Sequence, residues 1–166
     1  NEQMPFEALI GDGLVTQRKA HALMMMTADC LPVVLGNADG TEVANLHAGW
    51  RGLAGGIVEN TIAAMQTQST WAWLGAAISQ PCFEIGVEVK EAFCSKYPEL
   101  DSAFQAGEQA GKHYADLYAI ARYILNQHGV QTVLGGDQCS YRQADEYFSY
   151  RREAKTGRMA TFVFMA

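Results

Sequence analysis

Apolar and polar positions change their period several times along the chain, and each change predicts an element. Residues 22–27 form an unbroken apolar run of strand length, which predicts a strand buried on both faces. Residues 32–35 and 42–47 predict two more strands. The turn Gly36-Asn37-Ala38-Asp39-Gly40 between them makes the two neighbours whose ends meet. A glycine-rich stretch, 49–56, leads into a helix in which Ile57, Thr61, Ile62 and Met65 follow helical spacing. Residues 69–79 predict a strand, 83–86 a short link, and 87–97 a helix stopped before Pro98. A further short helix is expected over 100–106. The clearest helix is 116–128: Leu117, Ile120, Ala121, Ile124 and Leu125 make one apolar stripe, and Gly129 supplies the stop. Residues 130–134, 148–152 and 158–165 predict the last strands. Residues 1–19 are mixed, with a turn at Gly11-Asp12-Gly13. Strands and helices are thus interspersed, as in one α+β domain covering 1–166.

Composition narrows the function classes. The 166 residues suffice for one domain with a real core, and 49% hydrophobic with 18% charged residues is a globular profile. A net charge of −6 argues against a nucleic-acid partner for the whole surface. Arg151, Arg152, Lys155 and Arg158 nonetheless gather basic charge near the end of the chain, where a local anion site is possible. Cys30, Cys82, Cys94 and Cys139 are scattered, which predicts reduced thiols and a cytoplasmic setting. No stretch is long and apolar enough to cross a membrane, and no signal peptide is visible.

The candidate chemistry sits in two segments, Thr27-Ala28-Asp29-Cys30-Leu31-Pro32 and His47-Ala48-Gly49-Trp50-Arg51-Gly52. Each follows a predicted strand, and strand ends are rigid places from which to aim side chains. A cysteine and a histidine brought together are either metal ligands or a nucleophile with its base. The ordinary expectation for an arbitrary pair is a buried thiol and a core imidazole. Asp29 beside Cys30, and the run from His47 into Gly49, Trp50 and Arg51, count against it here. A catalytic metal site needs a third protein ligand, and no spacing selects His21, His113 or His128. Arg51, between glycines, and Arg158, after Thr156-Gly157, are the preferred anion holders, since guanidinium forks suit phosphate or carboxylate. The Met24-Met25-Met26 run reads as core. Tyr141, Tyr147 and Tyr150 read as core-edge cover, the alternative being that one stacks on a flat base. There is no phosphate loop, dinucleotide fingerprint or paired CxxC. A small-molecule enzyme is favoured over a binding module.

These motifs resemble a known family. Met26 to Pro32, His47 to Gly52, Phe83-Glu84-Ile85-Gly86, Gly135-Gly136-Asp137, Phe148 to Arg152 and Thr156-Gly157-Arg158 are similar to the YfiH proteins, also named polyphenol oxidase (laccase domain) or purine nucleoside phosphorylase-like. The resemblance runs from about Gly11 onward. It implies a layered α/β/β/α fold and a zinc site held by two histidines and a cysteine, with Cys30 and His47 as two of those ligands. The family's third ligand lies in an upstream Gln-x-x-His-Gly type motif that this sequence does not contain, so the chain resembles the C-terminal portion of the family domain. Ala76 stands where the family usually has proline. The implied activity is phosphorolysis of purine nucleosides to base and ribose 1-phosphate, together with adenosine deamination. Arg51 and Arg158 would hold phosphate, and Trp50 would border the base. Alternatives are a copper-dependent polyphenol oxidoreductase, an amide hydrolase editing peptidoglycan precursors, and a non-catalytic binding domain. The copper reading sits poorly with so few histidines.

Overall fold

The computed structural model describes residues 11–166; residues 1–10, the first part of the mixed segment, lie outside the described residues. Among the described residues, ten strands and four helices follow in chain order: β1 (Gly13–Thr16), β2 (Leu23–Thr27), β3 (Leu31–Gly36), β4 (Val43–Ala48), α1 (Trp50–Ala54), α2 (Ile57–Ala64), β5 (Trp71–Leu74), β6 (Glu84–Gly86), α3 (Val87–Cys94), β7 (Phe104–Ala106), β8 (Lys112–Ala115), α4 (Leu117–Gln127), β9 (Thr132–Gly135) and β10 (Met159–Val163). Three-ten turns occupy Gln80–Cys82 and Pro98–Ala103.

The central sheet has the order β1-β4-β3-β5-β9, antiparallel except for the parallel β5–β9 pair. β3 is buried along its whole length, and β4 everywhere except His47. Continuous apolar sequence is what a strand needs when both faces are covered. Helices α1 and α2 pack on β4, and β2 and β10 pack on β4 as well, forming a second, two-stranded sheet. Each Leu or Val of β3 buried here contributes about 1.5–3 kcal/mol. Asn45 of β4 ties the two sheets, its amide donating to the carbonyls of Leu23 (3.2 Å) and Thr161 (2.8 Å). A third, small sheet, β6-β8-β7, closes one end. The architecture is mixed α and β in one domain, as expected.

The β3–β4 turn forms because the Asn37 side chain replaces backbone partners. Its Oδ1 accepts from the amides of Thr41 (2.9 Å) and Glu42 (3.2 Å), and Gly40 takes a positive φ of 65°. Asp116 caps α4 by accepting from the Ala119 amide, and Gly129 stops it at φ 86°.

Several expectations are corrected. The 22–27 run is not buried on both faces: Met24 and Met26 point outward, because β2 lies in the outer sheet. The turn expected at 11–13 is a bend at Asp12 that leads straight into β1. Residues 50–54 are helical rather than only glycine-rich loop, and α3 ends at Cys94. The strand expected over 69–79 is confined to β5, and the link at 83–86 contains β6. Residues 100–106 are a three-ten turn running into β7, which pairs with β8. Residues 148–152 are irregular at 148–149 and a turn at 150–152, not a strand, because their backbone is held by side chains, as described below. All four cysteines are unbridged, and among the described residues no helix is long and apolar enough to cross a membrane.

Glu42, buried at the start of β4, joins three segments. Its carboxylate accepts from the Thr67 hydroxyl (2.6 Å), the amides of Thr67 (2.8 Å) and Gln66 (3.0 Å), and Gln17 (3.3 Å). Burial pushes its pKa up, but these donors outweigh that and hold it below the ordinary value of 4.5. A depressed folded-state pKa contributes stability that is complete above the unfolded value and lost as pH falls through the folded one. Glu42→Gln is expected to cost about 1–3 kcal/mol at neutral pH. It is also expected to flatten the loss of stability below pH 4.5, measured as urea midpoints across pH.

Candidate functional site

The register of β3 against β4 places Pro32 opposite His47 and Leu31 opposite Ala48. Cys30, just before β3, therefore meets His47 near the end of β4. Both side chains line one hollow, and His47 Nδ1 stands 3.1 Å from Asp12 Oδ1. Asp12 holds the backbone too, its carbonyl accepting from the His47 amide at 2.7 Å. The Cys30 contact raises the His47 pKa; partial burial opposes it, the Asp12 carboxylate adds to it, and the result is about 9. Gly49 makes the pairing possible: a Cβ there would lie 2.9 Å from Cys30 Sγ.

The turn carrying Cys30 depends on Asp29, which adopts φ 87° and is buried. Its carboxylate accepts from the Ser140 hydroxyl (2.6 Å) and from the Arg151 amide (2.7 Å), and its carbonyl accepts from the Ile78 amide (3.0 Å). Arg152 completes this junction by donating to the carbonyls of Ser140 (2.8 Å), Tyr141 (2.8 Å) and Tyr147 (2.7 Å). These bonds replace the strand pairing expected over 148–152.

Two hollows open beside Cys30. One, of about 260 Å³, is lined by Asp12, Cys30, His47, Gly49, Trp50, Arg51 and Gly52. The other, of about 210 Å³, shares Cys30, Gly49, Trp50 and Arg51 and adds Phe83, Tyr150 and Arg151. The Arg51 guanidinium lies 4.4 Å from the Trp50 ring centroid. Arg151 lies 5.4 Å from that of Phe83 and donates to the Glu84 carbonyl at 3.0 Å. Flat, aromatic-backed guanidinium groups suit an anion beside a planar ring.

Of the residues singled out in the sequence, Cys30, His47, Trp50 and Arg51 are brought together. Arg158 is not: its guanidinium donates to the carbonyls of Thr156 and Gly157, and it lines neither hollow. Asp12 and Phe83 are not among the sequence candidates, and Arg151, one of the anion candidates, takes the place that the sequence favours for Arg158. A signal existed for Arg151, which lies in the Phe148 to Arg152 motif, and for Asp29, an acid wedged between apolar runs.

The sequence profile of the multi-copper polyphenol oxidoreductase laccase family matches residues 2–166. The chain belongs to this family. Among relatives, it is 43% identical to the purine nucleoside phosphorylase YfiH of Escherichia coli (strain K12) over 97% of its own length and 66% of that protein's. It is 34% identical to the adenosine deaminase RL5 of an unknown prokaryotic organism, over 92% of this chain and 62% of that one. The crystal structure of the Neisseria meningitidis protein NMB0706 superposes with a TM-score of 0.89 at 49% identity, covering 93% of this chain and 64% of that one. The chain thus spans about two-thirds of the length of the family members it matches.

Asp29→Ala removes the acceptor of two donors and keeps the positive φ. It is expected to destabilise the fold by about 2–4 kcal/mol. Asp29→Gly, which suits that φ, should cost about 1 kcal/mol less. Urea unfolding of both variants checks the order.

Proposed function

We propose that this site performs purine nucleoside chemistry: phosphorolysis to base and ribose 1-phosphate, with adenosine deamination as a companion activity. The observation carrying the reading is the hollow beside Cys30, where two arginines backed by aromatic rings face one small space. The names of the relatives support the same substrate class. Arg51 and Arg151 would hold phosphate, in place of the pairing of Arg51 with Arg158 expected from the sequence. Trp50, Phe83 and Tyr150 would border the base. In phosphorolysis a phosphate oxygen bonds to the ribose C1′ as the C1′–N bond breaks, and the base leaves with the electron pair and takes up a proton. The arginines would orient the phosphate and offset its charge while water is kept from C1′.

Zinc is proposed as the cofactor. Thiol and imidazole are suitable donors, and Asp12 orients the imidazole as an outer partner commonly does. The donor count is short, since no group of three His, Cys, Asp or Glu among the described residues could hold a metal. Cys30 and His47 would be the two ligands from the described part of this chain. When bound, zinc supplies Lewis acidity and a water of lowered pKa. Cys30 and His47 lining one hollow also fit a nucleophile with its base, which keeps amide hydrolysis as the second reading.

Incubation with adenosine and phosphate, followed by chromatography, should release adenine, inosine or hypoxanthine. Arg51→Ala and Arg151→Ala are each expected to raise the phosphate KM about ten- to hundred-fold, while Arg158→Ala leaves it unchanged. An unchanged phosphate KM in Arg151→Ala would remove Arg151 from the proposed site. Turnover of a muropeptide amide, with no purine product, would replace the reading altogether.

A further inference from the structure

The two hollows beside Cys30 share a wall: Cys30, Gly49, Trp50 and Arg51 line both. Each alone, at about 210 and about 260 Å³, is smaller than the roughly 300 Å³ at which ligand pockets ordinarily begin. One ligand with two chemically different parts therefore suits the pair. The far walls differ accordingly. Phe83 and Tyr150 give the smaller hollow flat aromatic surfaces, over the buried Ile78 and Leu117. The larger hollow has Asp12 and His47 instead.

Hydrogen-bonding capacity divides in the same way. Arg51 and Trp50 only donate. Asp29, on the aromatic side, has both carboxylate oxygens engaged by Ser140 and the Arg151 amide. Asp12 is the carboxylate with capacity left. Its side chain is 61% exposed, its Oδ1 faces His47, and among the described residues its Oδ2 has no partner. Its backbone is firmly placed. The Asp12 carbonyl accepts from the His47 amide, and the next residue, Gly13, pairs with Leu46 of β4. Gly13 also lies close against α2: a Cβ there would stand 2.8 Å from Thr61 Oγ1 and 3.4 Å from the Ile57 side chain. Asp12 is thus an acceptor held at a fixed point on the rim of the larger hollow.

We propose that Asp12 sets the sugar specificity of the site, accepting hydrogen bonds from the 2′- and 3′-hydroxyls of a ribose seated in the larger hollow while the base lies in the aromatic one. The inference rests on the purine nucleoside reading and adds to it which sugar is taken. Each ribose hydroxyl needs an acceptor, and a carboxylate accepts without competing as a donor. A carboxylate plays the same part toward the ribose in dinucleotide-binding folds. C1′, which joins sugar to base, then falls at the shared wall beside Arg51, where phosphate has to arrive. A deoxyribose leaves the Asp12 carboxylate without those donors, so ribonucleosides are favoured.

The test is binding of inosine and of 2′,3′-dideoxyinosine, measured by calorimetry without phosphate so that neither proposed reaction consumes them. The wild-type chain is expected to bind inosine about ten-fold or more tighter than the dideoxy form, the scale of hydrogen bonds to a charged group. Asp12→Ala should weaken inosine by the same factor and leave 2′,3′-dideoxyinosine unchanged, closing the gap. Its urea midpoint checks that this mostly exposed position leaves the fold intact. A role confined to positioning His47 gives a different pattern: both nucleosides weaken equally, and Asp12→Asn, which keeps an oxygen for the imidazole, restores both. That pattern would overturn the proposal. Equal binding of the two nucleosides by the wild-type chain would also overturn it and leave the purine reading standing, whereas binding of neither would remove both.

Discussion

The structure around the site depends on one buried carboxylate. Asp29 gathers three segments far apart in sequence: its own turn, the stretch at Ile78 and the turns at Ser140 and Arg151. A carboxylate accepts at both oxygens and donates at neither. Asn would present an amide donor to the Arg151 amide or to Ser140, and a longer Glu would not fit the same turn. The backbone there is left-handed, a conformation in which Asp is among the better tolerated residues after glycine. The residue that sets the thiol's position therefore also fixes the segment delivering Arg151. The two arginines of that segment divide the work: Arg152 turns inward to three carbonyls, and Arg151 turns outward over Phe83.

The parts of this arrangement legible in the sequence were those governed by local rules. β3, β4 and α4 follow from apolar runs, an Asn-containing turn and a capped amphipathic stripe, and the adjacency of Cys30 and His47 follows from the hairpin. The parts that were not legible depend on long-range partners. Residues 148–152 have strand-like composition, but the acceptor for the Arg151 amide lies 122 residues away in sequence. β7 exists because β8 is there to pair with it. The outward face of β2 could not be read from an unbroken apolar run, since period alone does not tell a strand covered twice from one covered once. Arg158 was preferred for its glycine neighbour, yet an arginine's reach is decided by where its turn points, and this one folds back onto its own backbone.

The outer sheet and the Cys30 site meet in one short piece of backbone. Thr27 ends β2 opposite Met159 of β10, and two residues later Asp29 makes the left-handed turn that aims Cys30. The β2–β10 ladder therefore braces the turn after β2 with no intervening loop. The direction of the effect follows from entropy: a turn held at both ends loses less freedom when a ligand seats against it, so its affinity rises with no change in the contacts themselves.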